Sequence, residues 1–444
     1  MLIRVGLPED EFLELEGDII LGGRKYSWIK VYSDSEKELE VKFAVFKDSP
    51  TGKVFGRFFK RRWEIVDLVD NISTAHEKSQ CINGEYRVWV EGWGGNLRVE
   101  TERGTWFVDS PLRIKNGGKT KIKKVWVGRG FHWEHKKDLE FVGDFDIYAW
   151  GKKVRAVNII EEVDYIASVI GSELHPRAPM EALKAQALAA RTNLYRTVGS
   201  HHPKEPFDIC SEDHCQVYLG LDKVSHETLK VSRETEGEVI TYGGEPIEAR
   251  YSKSCGGVME RFSVVWGGED KPYNLNLMDG EGNGMMDLSD EEKFEEFLEE
   301  KRAFCNIEFP GIQNLYRWEV SYRRDELEGL IGRFFVFGKF LGIGKLKRGF
   351  SGRIYSMEIL TDKGSIWLNG EYFIRLVLGK PFLPSSAFKI VKSRDNIVLR
   401  GMGWGHGVGM CQMGAIGMAL KGYNYWEIIG HYYPNTEIKK MKPT

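Results

Sequence analysis

No run of apolar residues in this chain approaches the ~18 needed to cross a bilayer as a helix, which argues against a membrane span. An excess of either charge is missing too. Its 63 Lys and Arg oppose 65 Asp and Glu, a net −2 over 444 residues, so no nucleic acid or anionic membrane partner is expected. Six cysteines are too few, in a chain of this length, for a disulfide framework. The opening MLIRVGLPEDEF turns acidic within ten residues and shows no apolar core of a signal peptide. What the chain has is 42% hydrophobic composition, 50 glycines and 13 tryptophans. That mixture suits a strand-rich protein of two to three domains with tight turns and aromatic surfaces.

The first 140 residues read as a β-rich region. IRVGL, YSWIKVYS, LEVKFAVF, YRVWVEGW and KKVWVG alternate or run apolar between Gly, Asp, Asn and Lys clusters. Its basic tracts, Lys60-Arg61-Arg62 and Lys115 to Lys124, read as solvated faces rather than sites for an anionic polymer. His132, Glu134 and His135 are metal-capable donors, but their aromatic neighbours favour a packing role. FVGDFDIYAW and KKVRAVNII then predict a hairpin around Gly151.

Residues 163–199 predict two helices joined by an elbow. Tyr165, Ile166, Val169 and Ile170 fall at helical spacing, with Glu173 one turn on. His175-Pro176 and Ala178-Pro179 stop the first helix, because a residue before proline is pushed out of the α region. A second helix begins near Pro179 and carries alanines at 182, 185, 187, 189 and 190, which allow close packing. Lys184 and Arg191, seven apart, share one face of it. Solvated charges on an amphipathic hairpin are the plain alternative.

Next comes a dense set of soft donors, His201, His202, Cys210, His214 and Cys215. A tetrahedral zinc wants four such ligands, and a Cys210–Cys215 disulfide or free thiols are the alternatives. With no open position evident, a zinc here would be structural. TYGGEPIEARYS predicts a hairpin at Gly243-Gly244, after which Ser252, Ser254 and Cys255 lead into Gly256-Gly257. Cys255 as a nucleophile lacks a histidine partner in any local signature. Residues 270–312 read as an acidic surface insertion whose helix is capped by Ser289 and Glu292, with Phe294, Phe297 and Leu298 as its apolar stripe. Strands are expected over Leu315–Val320 and Ile354–Leu360, and helical turns over Asp325–Ile331 and Gly370–Leu378. Near the end, Gly at 401, 403, 405, 407 and 409 alternates with larger residues, a pattern that lets a ligand or another strand approach one face. The next segment, CQMGAIGMALKGY, predicts a small-residue helix, and His406 and Gln412 are the polar residues to place at a cleft.

Three ordered blocks carry a family likeness: Ser172-Glu173-Leu174 with EALKAQALAART, then ARYSKSCGG, then GWGHGVGMCQMGA with HYYPNT. Together they resemble the stage II sporulation protein D family, lytic transglycosylases and amidase enhancers that act on bacterial peptidoglycan. The resemblance spans roughly residues 143–438. The expected fold is α+β, with a β-rich region at 1–140 of packing or wall-binding role, and the resemblance implies a catalytic domain at 141–444. It assigns Glu173 as the catalytic acid and Lys184 and Arg191 as active-site residues. Tyr251, Ser252, Ser254, His406 and Gln412 join them as substrate-binding candidates.

Relatives with a zinc on two histidines and two cysteines point to His202 (or His201), Cys210, His214 and Cys215. The chain departs from the family pattern at Cys255 and Cys411, where serine is common. The implied reaction cleaves the MurNAc–GlcNAc bond, on glycan stripped of its peptides, and leaves 1,6-anhydro-MurNAc ends, with no cofactor needed for the chemistry. The alternative is a non-catalytic amidase enhancer. Glycan strands and a cell-wall amidase are the expected partners, and an extracytoplasmic site of action is expected. One tension follows: cations beside Glu173 would lower its pKa, so Lys184 and Arg191 are expected to face the substrate's carboxylates instead.

Overall fold

The computed structural model describes residues 1–34, 40–45, 86–91, 93–129, 133–282, 284–310, 316–392 and 396–441. The tract Lys60-Arg61-Arg62, Cys81, His132 and Leu315 lie outside these residues. The architecture is α+β, with the β-rich part first.

Alternating burial builds the first layer. In the strand Phe12–Leu21, Leu13, Leu15, Ile19 and Leu21 face inward, and a bulge between Glu16 and Ile19 is absorbed at Gly17. A Cβ at Gly17 would lie 2.5 Å from the Lys119 carbonyl, so the close strand approach requires glycine. A ten-stranded sheet runs in the order Ile209–Cys210, Leu2–Gly6, Lys153–Glu161, Asp144–Trp150, Leu112–Val127, Phe12–Leu21, Arg24–Ser33, Asn96–Thr101, Gly104–Asp109. His135–Phe141 also pairs with Leu112–Val127. The hairpin around Gly151 forms as expected. The boundary expected near residue 140 does not separate two sheets: strands from both sides of it pair in this one, over a shared core. Lys123, from the second basic tract, pairs with Glu16 and Asp138, in keeping with a solvated face.

Nine helices are present among the described residues: α1 (Glu162–Glu173), α2 (Met180–Thr197), α3 (His226–Glu234), α4 (Phe262–Trp266), α5 (Glu291–Phe297), α6 (Arg324–Gly332), α7 (Glu371–Leu378), α8 (Gln412–Leu420) and α9 (Tyr425–Tyr432). In α1 the predicted stripe, Tyr165, Ile166, Val169 and Ile170, is fully buried, and the helix stops at an extended Leu174 just before His175-Pro176. Helix α2 buries all five of its predicted alanines and packs against α1, α3, α8 and α9. Small side chains on every face allow one helix so many close neighbours.

Two readings change in the second half. Helix α5 is capped by Asp290, not Ser289: the Asp290 carboxylate accepts the amides of Glu292 at 3.0 Å and Lys293 at 3.1 Å. Its Phe294 and Phe297 are buried against Val258 and Met402, so this insertion is packed into the molecule rather than laid on its surface. Residues 316–402 form a lobe with its own core, two three-stranded sheets with α6 and α7 closing on Tyr322, Phe340, Met357, Ile374 and Phe388. The expected strands and helical turns of this region fall at Arg317–Arg323, Ile354–Thr361, α6 and α7.

Candidate functional site

The C-terminus of α1 delivers Glu173 to a cleft of about 370 Å³ between the first part of the molecule and the 316–402 lobe. That size suits a ligand site. Two chain segments far apart in sequence meet over the glutamate. The short strand Tyr251–Ser252 pairs in parallel with Met410–Cys411, with Tyr251 opposite Met410. This pairing sets Tyr251 on one carboxylate oxygen and Gln412 on the other. The Tyr251 hydroxyl lies 3.3 Å from Glu173 Oε1, and Gln412 Nε2 donates to Oε2 at 3.1 Å.

Both partners are themselves held. Gln412 Nε2 lies 3.2 Å from Gln186 Oε1 on α2. The Tyr251 hydroxyl is 3.1 Å from Gln216 Oε1, and the Gln216 amide is oriented by the Ala190 carbonyl at 3.1 Å. Burial raises the pKa of the Glu173 carboxyl. The Lys253 charge, the bonds from Gln412 and Tyr251 and the Val217 amide oppose that rise without cancelling it. Lys253 places its Nζ 2.7 Å from the Glu173 main-chain oxygen rather than on the carboxylate.

Aromatic rings line the cleft, among them Trp133, Trp266, Tyr372, Phe382 and Trp404, and Arg250 and Arg375 supply positive charge. Arg250 lies over the Trp266 ring, its guanidinium carbon 4.9 Å from the centroid, and keeps 27% of its side chain exposed. Two further carboxylates, Asp213 and Glu371, border the same cavity. His406 lines it too, its ring edge-on to Trp266 at 4.8 Å, with a pKa held far below the usual histidine value by burial and by Arg250, Arg353 and Arg375. Ser252 borders the cavity, with its Oγ accepting the Gly407 amide at 3.2 Å.

Three expected substrate contacts lie elsewhere. Arg191 is fully buried: Nε donates to Glu162 at 2.7 Å, and the other nitrogens reach Thr235, Glu238 and Ser232. It ties α2 to the start of α1 and the end of α3, and no substrate can reach it there. Lys184 turns to Glu181 and Glu234, beside the Tyr425 ring, away from the cleft. Ser254 is fully buried between main-chain bonds to Trp404. The face of α2 was legible in the sequence, but which neighbours would cover it was not. Lys253, Arg250 and Gln216 were missed, although Arg250 and Lys253 sit inside the ARYSKSCGG block and Gln216 directly follows Cys215; Tyr372 and Arg375 carried no signal.

The alternating glycines make room for protein rather than for a ligand. A Cβ at Gly409 would meet the Arg250 carbonyl at 2.0 Å, one at Gly403 the Ser254 carbonyl at 2.7 Å, and one at Gly407 the Arg353 guanidinium at 2.4 Å. Only Gly405 of these borders the cavity.

Beside the cleft, His202, Cys210, His214 and Cys215 bring one donor atom each within 4.8 Å of one another. His202 Nε2 is 3.3 Å and His214 Nδ1 3.4 Å from Cys215 Sγ, and His214 Nδ1 is 3.6 Å from Cys210 Sγ. Zinc bonds of about 2.1 Å to nitrogen and 2.3 Å to sulfur imply tetrahedral N···S edges of roughly 3.6 Å, so the four fit that ion. Glu205 bonds the other ring nitrogen of His202, the support usual for a metal-bound histidine. Cys210 and Cys215 are free thiols, not a disulfide. His201 lies outside the four, its Nδ1 3.7 Å from Cys215. Of the other metal-capable set, His135 places Nδ1 2.8 Å from the Trp133 carbonyl and joins no such group among the described residues.

Comparison with known families matches residues 151–242 to the stage II sporulation protein family and residues 260–409 to a domain of unknown function (DUF8618). An uncharacterised protein of Brachyspira hyodysenteriae is 29% identical over 68% of this chain and 72% of its own length. Stage II sporulation protein D of Bacillus subtilis is 28% identical over 64% of this chain and 76% of its own. The amidase enhancer of the same organism is 26% identical over 62% of this chain but only 40% of its own.

Proposed function

Because this chain carries a domain of the stage II sporulation protein family, we propose that it acts on bacterial peptidoglycan as a lytic transglycosylase. It cleaves the MurNAc–GlcNAc bond of peptide-stripped strands and leaves 1,6-anhydro-MurNAc ends. The observation that carries this reading is Glu173, a carboxyl raised by burial at the base of an aromatic-lined cleft, with both its oxygens held.

A raised pKa keeps a proton available for the glycosidic oxygen at higher pH than an exposed glutamate could. Protonation lets that bond break as the anomeric carbon takes on positive character. The muramic acid's own 6-hydroxyl then attacks this carbon and passes its proton to the glutamate, which closes the anhydro ring and restores the acid. No water enters, so one carboxylate suffices where a hydrolase needs two. Tyr251 and Gln412 fix the carboxylate's plane through both halves of the cycle. Aromatic faces stack on the sugar rings, and Arg250, in place of Arg191, meets the lactyl carboxylate that peptide removal exposes.

A zinc on His202, Cys210, His214 and Cys215 would supply rigidity, since four protein ligands leave no position for substrate. It would fix the segment that carries Gln216, the partner of Tyr251. Work on the wall implies an extracytoplasmic site of action, and the likeness to an amidase enhancer suggests a cell-wall amidase as partner.

Digestion of purified glycan strands, with and without stem peptides, tests the reading. Wild type is expected to release anhydro-ended fragments from the peptide-free strands, and Glu173→Gln none. Reducing-end products that need Asp213 would mean a hydrolase. Binding without any cleavage would leave an amidase enhancer.

A further inference from the structure

A second group of sulfur ligands adjoins the Tyr251–Ser252 and Met410–Cys411 pairing, which contributes Cys411. Cys255, Asp279, Cys305 and Cys411 come from four separate places in the chain, and one ligand atom from each lies within 4.8 Å of the others. All four are at most 1% exposed.

Two of the separations between these atoms are close to what a tetrahedral ion needs. Zinc–sulfur bonds of about 2.3 Å put two sulfurs about 3.8 Å apart, and a sulfur and an oxygen about 3.5 Å apart. Cys255 Sγ is 3.7 Å from Cys305 Sγ and 3.3 Å from Asp279 Oδ2.

The surroundings are arranged for anionic sulfur and a fixed carboxylate. Cys411 Sγ accepts the amides of Cys255 at 3.2 Å and Gly414 at 3.3 Å, and Cys255 Sγ accepts the Gly257 amide at 3.4 Å. Asp279 takes the Cys305 amide on Oδ2 at 3.1 Å and the Tyr432 hydroxyl on Oδ1 at 2.7 Å, with His431 Nε2 3.6 Å from Oδ1. Outer contacts of this kind are what aim metal ligands. The packing leaves no slack: a Cβ on Gly414 would lie 2.0 Å from the Tyr432 hydroxyl and 2.7 Å from Asp279 Oδ1.

We propose that Cys255, Asp279, Cys305 and Cys411 bind one zinc ion in a closed, structural site. Each thiol gives up its proton to solvent as the ion enters, so thiolates and carboxylate bind it without any redox change. The site staples the 256–305 segment to the strand pair behind the cleft. Cys411 directly precedes Gln412, and Cys255 follows Lys253 by two residues, so the ion would hold in place two groups that touch Glu173.

Native mass spectrometry of the full-length protein, after zinc addition and removal of excess, counts ions on folded molecules alone. The double variant His202→Ala/Cys215→Ser removes the first cluster, and Cys305→Ser or Asp279→Asn tests the second. The double variant is expected to retain one zinc and Cys305→Ser to hold one fewer than wild type. Cobalt in the double variant should give the visible bands of a tetrahedral thiolate site. A double variant that folds but binds no zinc or cobalt would overturn the proposal. So would a Cys255–Cys305 disulfide in non-reducing peptide mapping, or a wild type whose zinc is unaffected by Cys305→Ser. If the variants fail to fold, the wild type decides: protection of Cys255, Cys305 and Cys411 from alkylation in denaturant until a chelator is added supports the site, and immediate alkylation of all three overturns it.

Discussion

At Glu173 the balance of forces has a sign that can be measured. Burial favours the neutral acid, whereas the bonds from Tyr251 and Gln412 favour the anion. A general acid loses activity as pH rises through its own pKa, so the alkaline limb of the kcat/KM profile should lie above the ordinary carboxylate range. Removing a bond that favours the anion should move that limb further up. Tyr251→Phe and Gln412→Leu are therefore each expected to shift it to higher pH while lowering the maximum rate. A downward shift, or none, would mean that another group sets the limb. Arg250 and Lys184 offer a paired test of where the substrate's charge is met. Arg250→Ala should raise KM for peptide-free glycan, whereas Lys184→Ala should stay near wild type, because of the two only Arg250 lines the cleft. Steady-state kinetics on defined strands would read both.

The helices explain why α2 carries an arginine that no ligand reaches. Arg191 satisfies the buried Glu162 carboxylate, which also accepts from Tyr195 at 3.0 Å, and it bonds main-chain oxygens at the end of α3 and the start of the next strand. Removing one member of a buried pair leaves the other uncompensated, at a cost of about 3–5 kcal/mol. Chemical denaturation of Arg191→Ala should show that loss, and Arg191→Lys should recover only part of it because the fork of bonds is lost. A variant of unchanged stability but lower glycan affinity would restore the substrate-binding role expected from the sequence. The glycine series obeys the same logic: its register follows from the Arg250–Cys255 segment and the Arg353 side chain that press against it.

For the molecule as a whole, the cleft belongs to two cores. One wall comes from α1, the Tyr251–Ser252 strand and α8. The other comes from α7, in a lobe that the stage II sporulation protein match does not cover. Tyr372→Ala, on that outer wall, should weaken glycan binding several-fold, consistent with about 1 kcal/mol for one aromatic face, with kcat less affected. Equal activity with and without the ring would confine substrate to the inner wall. No helix among the described residues is long and apolar enough to cross a membrane.

Local rules were enough to place the α1–α2 elbow, the Gly151 and Gly243-Gly244 hairpins and the small-residue helix α8, because proline, paired glycines and helical spacing act over a few residues. Soft donors clustered within fifteen residues were likewise visible as a set. The second cluster was not, since Cys255, Asp279, Cys305 and Cys411 are brought together only by the tertiary packing of distant segments. Nor could the sequence say whether Lys184, Arg191 or Lys253 would stand beside Glu173. Charge and helical face are properties of the chain, but burial depends on what packs against that face. The tertiary structure turned Arg191 inward to Glu162, sent Lys184 to the α3 side and brought Lys253 and Gln412 to the glutamate.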